Sequence, residues 1–99
     1  VTPPPELAGR PVRWFRAFND VGAVTLEVHV LADAGFVPAR LAHPAILVGS
    51  VAELESLGER ITSAGFELSW AQRTTFAGYQ RFHCWDGFGN RVEVMTPDE

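Results

Sequence analysis

Along residues 24–30 apolar and polar side chains alternate without a break. Val24, Leu26, Val28 and Val30 fall on one side of an extended backbone, Thr25, Glu27 and His29 on the other. A period of two is that of a β-strand buried on one face only. The aromatic and β-branched run Val12–Phe18 just before it predicts a partner strand, with Asn19, Asp20, Val21 and Gly22 as the turn between them. At residue 50 the period changes. Ser50 followed by Glu53 has the form of a capping box, Val51, Leu54, Leu57, Gly58 and Ile61 recur at helical spacing, and Gly65 supplies a stop. A helix is therefore predicted over 50–64. Ahead of it, 43–49 reads as a short strand with Pro44 near its start, where a missing N–H is tolerated. After it, 66–73 reads as a strand with Leu68 and Trp70 on the core face, followed by a loop over 74–78.

The last third holds two runs rich in aromatic and β-branched residues, 79–85 and 91–97, around Asp86, Gly87, Phe88, Gly89 and Asn90. That is the sequence form of a β-hairpin. Alternation sends Phe82, Cys84, Val92 and Val94 to one face and Arg81, His83, Trp85, Arg91, Glu93 and Met95 to the other. The predicted class is α+β: two strands within 1–31, a connection over 32–42, and a β-α-β-β-β unit over 43–97. Residues 1–11 carry four prolines and read as extended or irregular.

Composition narrows the partners. At 99 residues the chain is expected to form one domain, which buries roughly 60–70% of its unfolded surface. The formal charge is −4, and all eight basic residues are arginines with none clustered, which argues against nucleic acid. No apolar run is long enough to span a membrane, and no signal segment opens the chain, so a cytoplasmic protein is expected. The single cysteine, Cys84, excludes an internal disulfide and falls at an apolar strand position, which suits a core residue better than a nucleophile.

If the apolar faces lie under the helix, the opposite faces bring Glu27, His29, His43, Arg81, His83, Arg91 and Glu93 to one surface. Ionisable groups there are costly to desolvate unless they bind a cation, each other or water. Histidine and glutamate can supply the nitrogen and oxygen ligands of a divalent transition metal. The plainer readings are also open: Glu93 pairing with Arg81 or Arg91, His43 as a solvated strand start, and Asp86 to Asn90 as a turn. Trp14, Trp70 and Trp85 could wall a planar ligand, although Trp70 also fits the core.

The C-terminal hairpin, with Asp86-Gly87-Phe88-Gly89-Asn90-Arg91-Val92-Glu93 following a His43-led apolar strand and a helix, resembles the second half of a vicinal oxygen chelate protein. This is the glyoxalase, bleomycin-resistance and extradiol-dioxygenase superfamily, and the likeness runs from about residue 5 to residue 97. It implies a complete second unit and a partial first unit in which the opening strand and helix have no counterpart. Metal-binding members take one ligand from the first and one from the last strand of each unit, and those positions match Glu27, His43 and Glu93. The implied cofactor is a divalent ion (Zn, Ni, Mn, Co or Fe), with Glu27 and Glu93 also the implied catalytic carboxylates and His29, Arg81, His83, Trp85 and Arg91 lining the pocket.

One histidine with two glutamates is more similar to the lyase and isomerase members than to the dioxygenases, whose iron usually has two histidines and one glutamate. The implied activity is metal-dependent chemistry on a small substrate with vicinal oxygens, passing through an enediolate or comparable anion. The alternatives are a metal-independent protein that sequesters an aromatic or drug-like ligand, and a purely structural domain. A homodimer is expected, because Leu26, Val28 and Val30 would otherwise face water.

Overall fold

A computed structural model describes residues 12–99; the proline-rich stretch 1–11, expected to be extended or irregular, lies outside them. The chain divides into two compact units, Val1–Val37 and Pro38–Glu99. Among the described residues no helix is long and apolar enough to cross a membrane.

In the first unit β1 (Val12–Phe18) and β2 (Val24–Leu31) pair antiparallel, as the alternation predicts. The Asn19 side chain closes the turn by accepting hydrogen bonds from the N–H groups of Val21 (3.1 Å) and Ala23 (2.9 Å). Gly22 sits at φ +80°, a conformation that only glycine adopts without strain. The register sets Trp14 opposite His29 and Arg16 opposite Glu27 on one face, and Phe15 opposite Val28 on the other. Phe15, Val28 and Val30 are exposed.

The second unit follows the expected order of elements: β3 (Ala45–Leu47), α1 (Val51–Ser63), β4 (Leu68–Ser69), β5 (Tyr79–Trp85) and β6 (Arg91–Pro97). Its sheet runs β3-β6-β5-β4, with β3 parallel to β6 and the other pairs antiparallel. A parallel pair needs a long crossover, and α1 provides it. Ser50 caps the helix through its hydroxyl, which accepts from the Glu53 N–H at 3.1 Å, while the Glu53 carboxylate reaches back one residue further to the Gly49 N–H at 2.9 Å. Leu54, Phe82, Cys84 and Val94 form the core between helix and sheet, with Leu57, Ile61, Leu68, Trp70 and Val92 packed around them. Burial pushes the Cys84 thiol up, and the charge of Asp86 adds to it, so Cys84 behaves as a small apolar residue.

The strand expected over 66–73 is cut to Leu68–Ser69. Two local bonds turn the chain at once: the Ser69 hydroxyl accepts from the Ala71 N–H (3.2 Å), and the Trp70 carbonyl accepts from the Arg73 N–H (3.0 Å). Trp70 still reaches the core. Its ring meets Phe82 edge-on with centroids 5.1 Å apart, and it lies against Gly58 of the helix. A Cβ at position 58 would come within 2.8 Å of Trp70 Cζ2. Helix propensity alone would make Gly58→Ala stabilising by about 1 kcal/mol. Because the aromatic ring is wedged between helix and sheet, we expect a net loss of about 1–3 kcal/mol, measurable by urea denaturation.

Candidate metal centre

Period-two geometry assigns the other face of the β5–β6 hairpin to polar side chains. In the register His83 stands opposite Glu93, Arg81 opposite Met95 and Trp85 opposite Arg91. His83 and Glu93 are nonetheless buried, at 9% and 5% exposure. β3 lies beside β6, with the Pro44 carbonyl accepting from the Glu93 N–H at 3.0 Å, and this brings His43 alongside. The result is a cluster of His43, His83 and Glu93 whose donor atoms lie within 4.8 Å of one another.

Glu93 is the centre of the cluster. Its Oε1 lies 3.0 Å from His43 Nε2 and 3.2 Å from His83 Nε2, while Oε2 accepts from Arg81 Nη1 at 3.2 Å. Arg81 is held from behind: Nε donates to the Gln72 carbonyl (3.1 Å), Nη2 to the Thr75 hydroxyl (2.9 Å), and the guanidinium lies over the Phe76 ring. Burial pushes Glu93 up, but the close approach of His43, the hydrogen bond from Arg81 and the charges of Arg81 and His83 outweigh it and hold the carboxyl below its ordinary range. For His83 burial is the larger effect and lowers its basicity against the pull of Glu93. At neutral pH the cluster is therefore a carboxylate faced by a neutral imidazole.

The donor set fits a divalent transition ion. Two ligands, each about 2.1 Å from one ion and at right angles, stand about 3 Å apart, which is the separation of His43 Nε2 and Glu93 Oε1 at 3.0 Å. Two imidazole nitrogens with one carboxylate oxygen form a borderline-soft set suited to Zn, Co, Ni, Mn or Fe.

Comparison with solved structures bears on the same fold. A crystal structure of a protein from Bacillus anthracis, assigned to the glyoxalase family, is similar to this chain with a TM-score of 0.75 and 30% sequence identity, over 99% of this chain and 71% of that one. The chain belongs to the glyoxalase family. No family sequence model and no curated protein matches it.

Within this glyoxalase-family chain the residues expected at the site fall into two groups. His43, Arg81, His83, Arg91 and Glu93 come together in the second unit, and His83, expected as pocket lining, stands among the donors themselves. Trp85 stands opposite Arg91 on the same face. Glu27 and His29 belong to the first unit. There Glu27 Oε1 accepts from Trp14 Nε1 and from Arg16 Nε (2.6 Å), with His29 Nε2 at 3.7 Å and the His29 ring against Trp14. The Trp14 and Arg16 hydrogen bonds lower the Glu27 pKa. Asp86 to Asn90 is a turn: Asp86 accepts from the N–H groups of Phe88 (2.8 Å) and Asn90 (2.9 Å). The supports of Arg81 had no signal in the sequence: Thr75 and Phe76 lie in the expected loop, and Gln72 falls in a turn where a strand over 66–73 is expected.

Proposed function

We propose that this glyoxalase-family chain is a divalent-metal-dependent enzyme acting on a small substrate with vicinal oxygens; its cluster of two histidines and one glutamate has the donor count of the dioxygenase members rather than the one histidine and two glutamates expected for a lyase or isomerase. The observation that carries the proposal is the convergence of His43, His83 and Glu93 donor atoms within 4.8 Å, with His83 and Glu93 buried. A buried carboxylate ringed by nitrogen donors is an expensive arrangement to maintain for packing alone.

In this reading His43 and Glu93 are ligands, and His83 is a third donor from the penultimate strand. Bound there, the ion would polarise neighbouring substrate oxygens and acidify the adjacent C–H. Arg81 occupies Glu93 Oε2 and so directs Oε1 to the donor cluster. Glu93 is held in the ionised form and can accept a proton without first losing one.

Metal analysis of protein purified without chelator or nickel resin, followed by calorimetric titration with Zn, Co, Ni and Mn, tests the proposal. A single tightly held ion per chain, lost in His43→Ala, is the expected result. No binding of any of these ions at roughly millimolar concentration would overturn it and return the chain to the class of metal-independent binders.

A further inference from the structure

We infer that Arg91, acting through the Leu41 main-chain carbonyl, is the positioning residue that presents His43 Nε2 as a donor. The inference rests on the proposed metal-binding reading, but its first consequence is a tautomer that exists without any ion.

Three atoms behind His43 form a tight triangle. His43 Nδ1 is 2.8 Å from the Leu41 carbonyl oxygen, Arg91 Nη2 is 2.7 Å from the same oxygen, and Arg91 Nη2 is 3.1 Å from His43 Nδ1. One assignment of hydrogens suits the two shorter contacts, and the 3.1 Å approach of Arg91 Nη2 to His43 Nδ1 is then that of two donors sharing one acceptor. The guanidinium can only donate. Were Nδ1 unprotonated, its lone pair would face the carbonyl lone pairs at 2.8 Å, two acceptors in contact. The two trigonal hydrogens of a single Nη2 would also have to serve two acceptors at too narrow an angle. With Nδ1 protonated, both His43 and Arg91 donate to the Leu41 oxygen, whose two lone pairs suit two donors.

In the neutral ring, protonation at Nδ1 leaves the Nε2 lone pair directed at the cluster, 3.0 Å from Glu93 Oε1. Two lone pairs converging on one point is an arrangement that a cation relieves. A hydrogen bond from the remote imidazole nitrogen is how metal-binding histidines are generally fixed in tautomer and ring orientation, and loss of such a partner costs about 10–100-fold in affinity. Leu41 lies outside the strands, so its carbonyl has no ladder to hold it. Arg91, at the first position of β6, ties it to the sheet that carries Glu93.

The test uses the whole chain, as wild type, Arg91→Met and Arg91→Lys, with folding checked by thermal melting. Long-range nitrogen–proton NMR correlations on metal-free protein at about pH 8, above the ordinary histidine value, report the neutral tautomer of His43. We expect Nδ1–H in the wild type. In Arg91→Met, Nε2–H should grow in, donating to Glu93 instead, and cobalt affinity should fall about 10–100-fold. Arg91→Lys, which returns one donor to the carbonyl, should recover part of both. An Nε2–H tautomer in the wild type overturns the inference, as does an Arg91→Met protein with unchanged tautomer and unchanged cobalt affinity. A wild type that binds no metal, yet shows a tautomer that responds to Arg91→Met, overturns the proposed function and leaves this positioning role standing. If Arg91→Met does not fold, the wild-type tautomer and Arg91→Lys decide the question.

Discussion

Glu93→Gln is expected to lower the affinity for a divalent ion by more than about 100-fold, the upper end of what loss of a mere supporting partner costs. The amide is nearly the same size as the carboxylate but lacks the charge that makes Oε1 a strong ligand. It also leaves Arg81, at 16% side-chain exposure, without its counter-charge. Arg81 keeps the Gln72 carbonyl and the Thr75 hydroxyl, so the stability cost should be about 1–3 kcal/mol and the fold should survive.

The pH dependence separates this from a non-specific effect. Because the Glu93 carboxyl is held below its ordinary value in the folded state, its contribution to stability is fully present above about pH 4.5 and is lost as pH falls through the lower folded value. Acid denaturation of the metal-free wild type should therefore show a slope below that point that is shallower in Glu93→Gln. A variant that binds cobalt as tightly as the wild type would remove Glu93 from the ligand set. Equal acid slopes would show that its carboxyl is not perturbed.

The hairpin that carries this site and the helix packed behind it were legible as periodicities. The hairpin alternates with a period of two, and Leu54, Leu57 and Ile61 recur at helical spacing, because each element buries one face against the other. The same alternation named Arg81, His83, Arg91 and Glu93 as sharing a face. It could not rank them. Whether His83 is lining or donor depends on a separation of 3.2 Å across the β5–β6 register, and that register is a property of strand pairing rather than of either strand.

Strand β4 was overestimated for a related reason. Leu68 and Trp70 have strand-like spacing, but Ser69 and the Trp70 carbonyl offer local hydrogen bonds that turn the chain instead. The Leu41 carbonyl could not be read at all. A backbone oxygen in an aperiodic segment leaves no mark in side-chain patterning, yet it fixes what His43 presents.

Phe82→Ala is expected to destabilise the second unit by about 3–5 kcal/mol, a large part of what a domain this small possesses. Phe82 is fully buried, sits in the cluster with Leu54, Cys84 and Val94, and meets Trp70 edge-on, so no neighbour can close the space without leaving its own contacts. The effect should reach the other face of the sheet. Phe82 lies on β5 between Arg81 and His83, and its burial under the helix is what sends those two side chains toward Glu93. Urea denaturation should show a lower midpoint, and at temperatures where the variant remains folded its cobalt affinity should fall as well, even though no ligand has been touched. The milder Phe82→Leu, which keeps most of the volume, should restore stability to within about 1.5 kcal/mol and recover metal binding. A Phe82→Ala protein as stable as the wild type would mean that the helix does not seat on this face, and the placement of His83 and Arg81 would lose its physical basis.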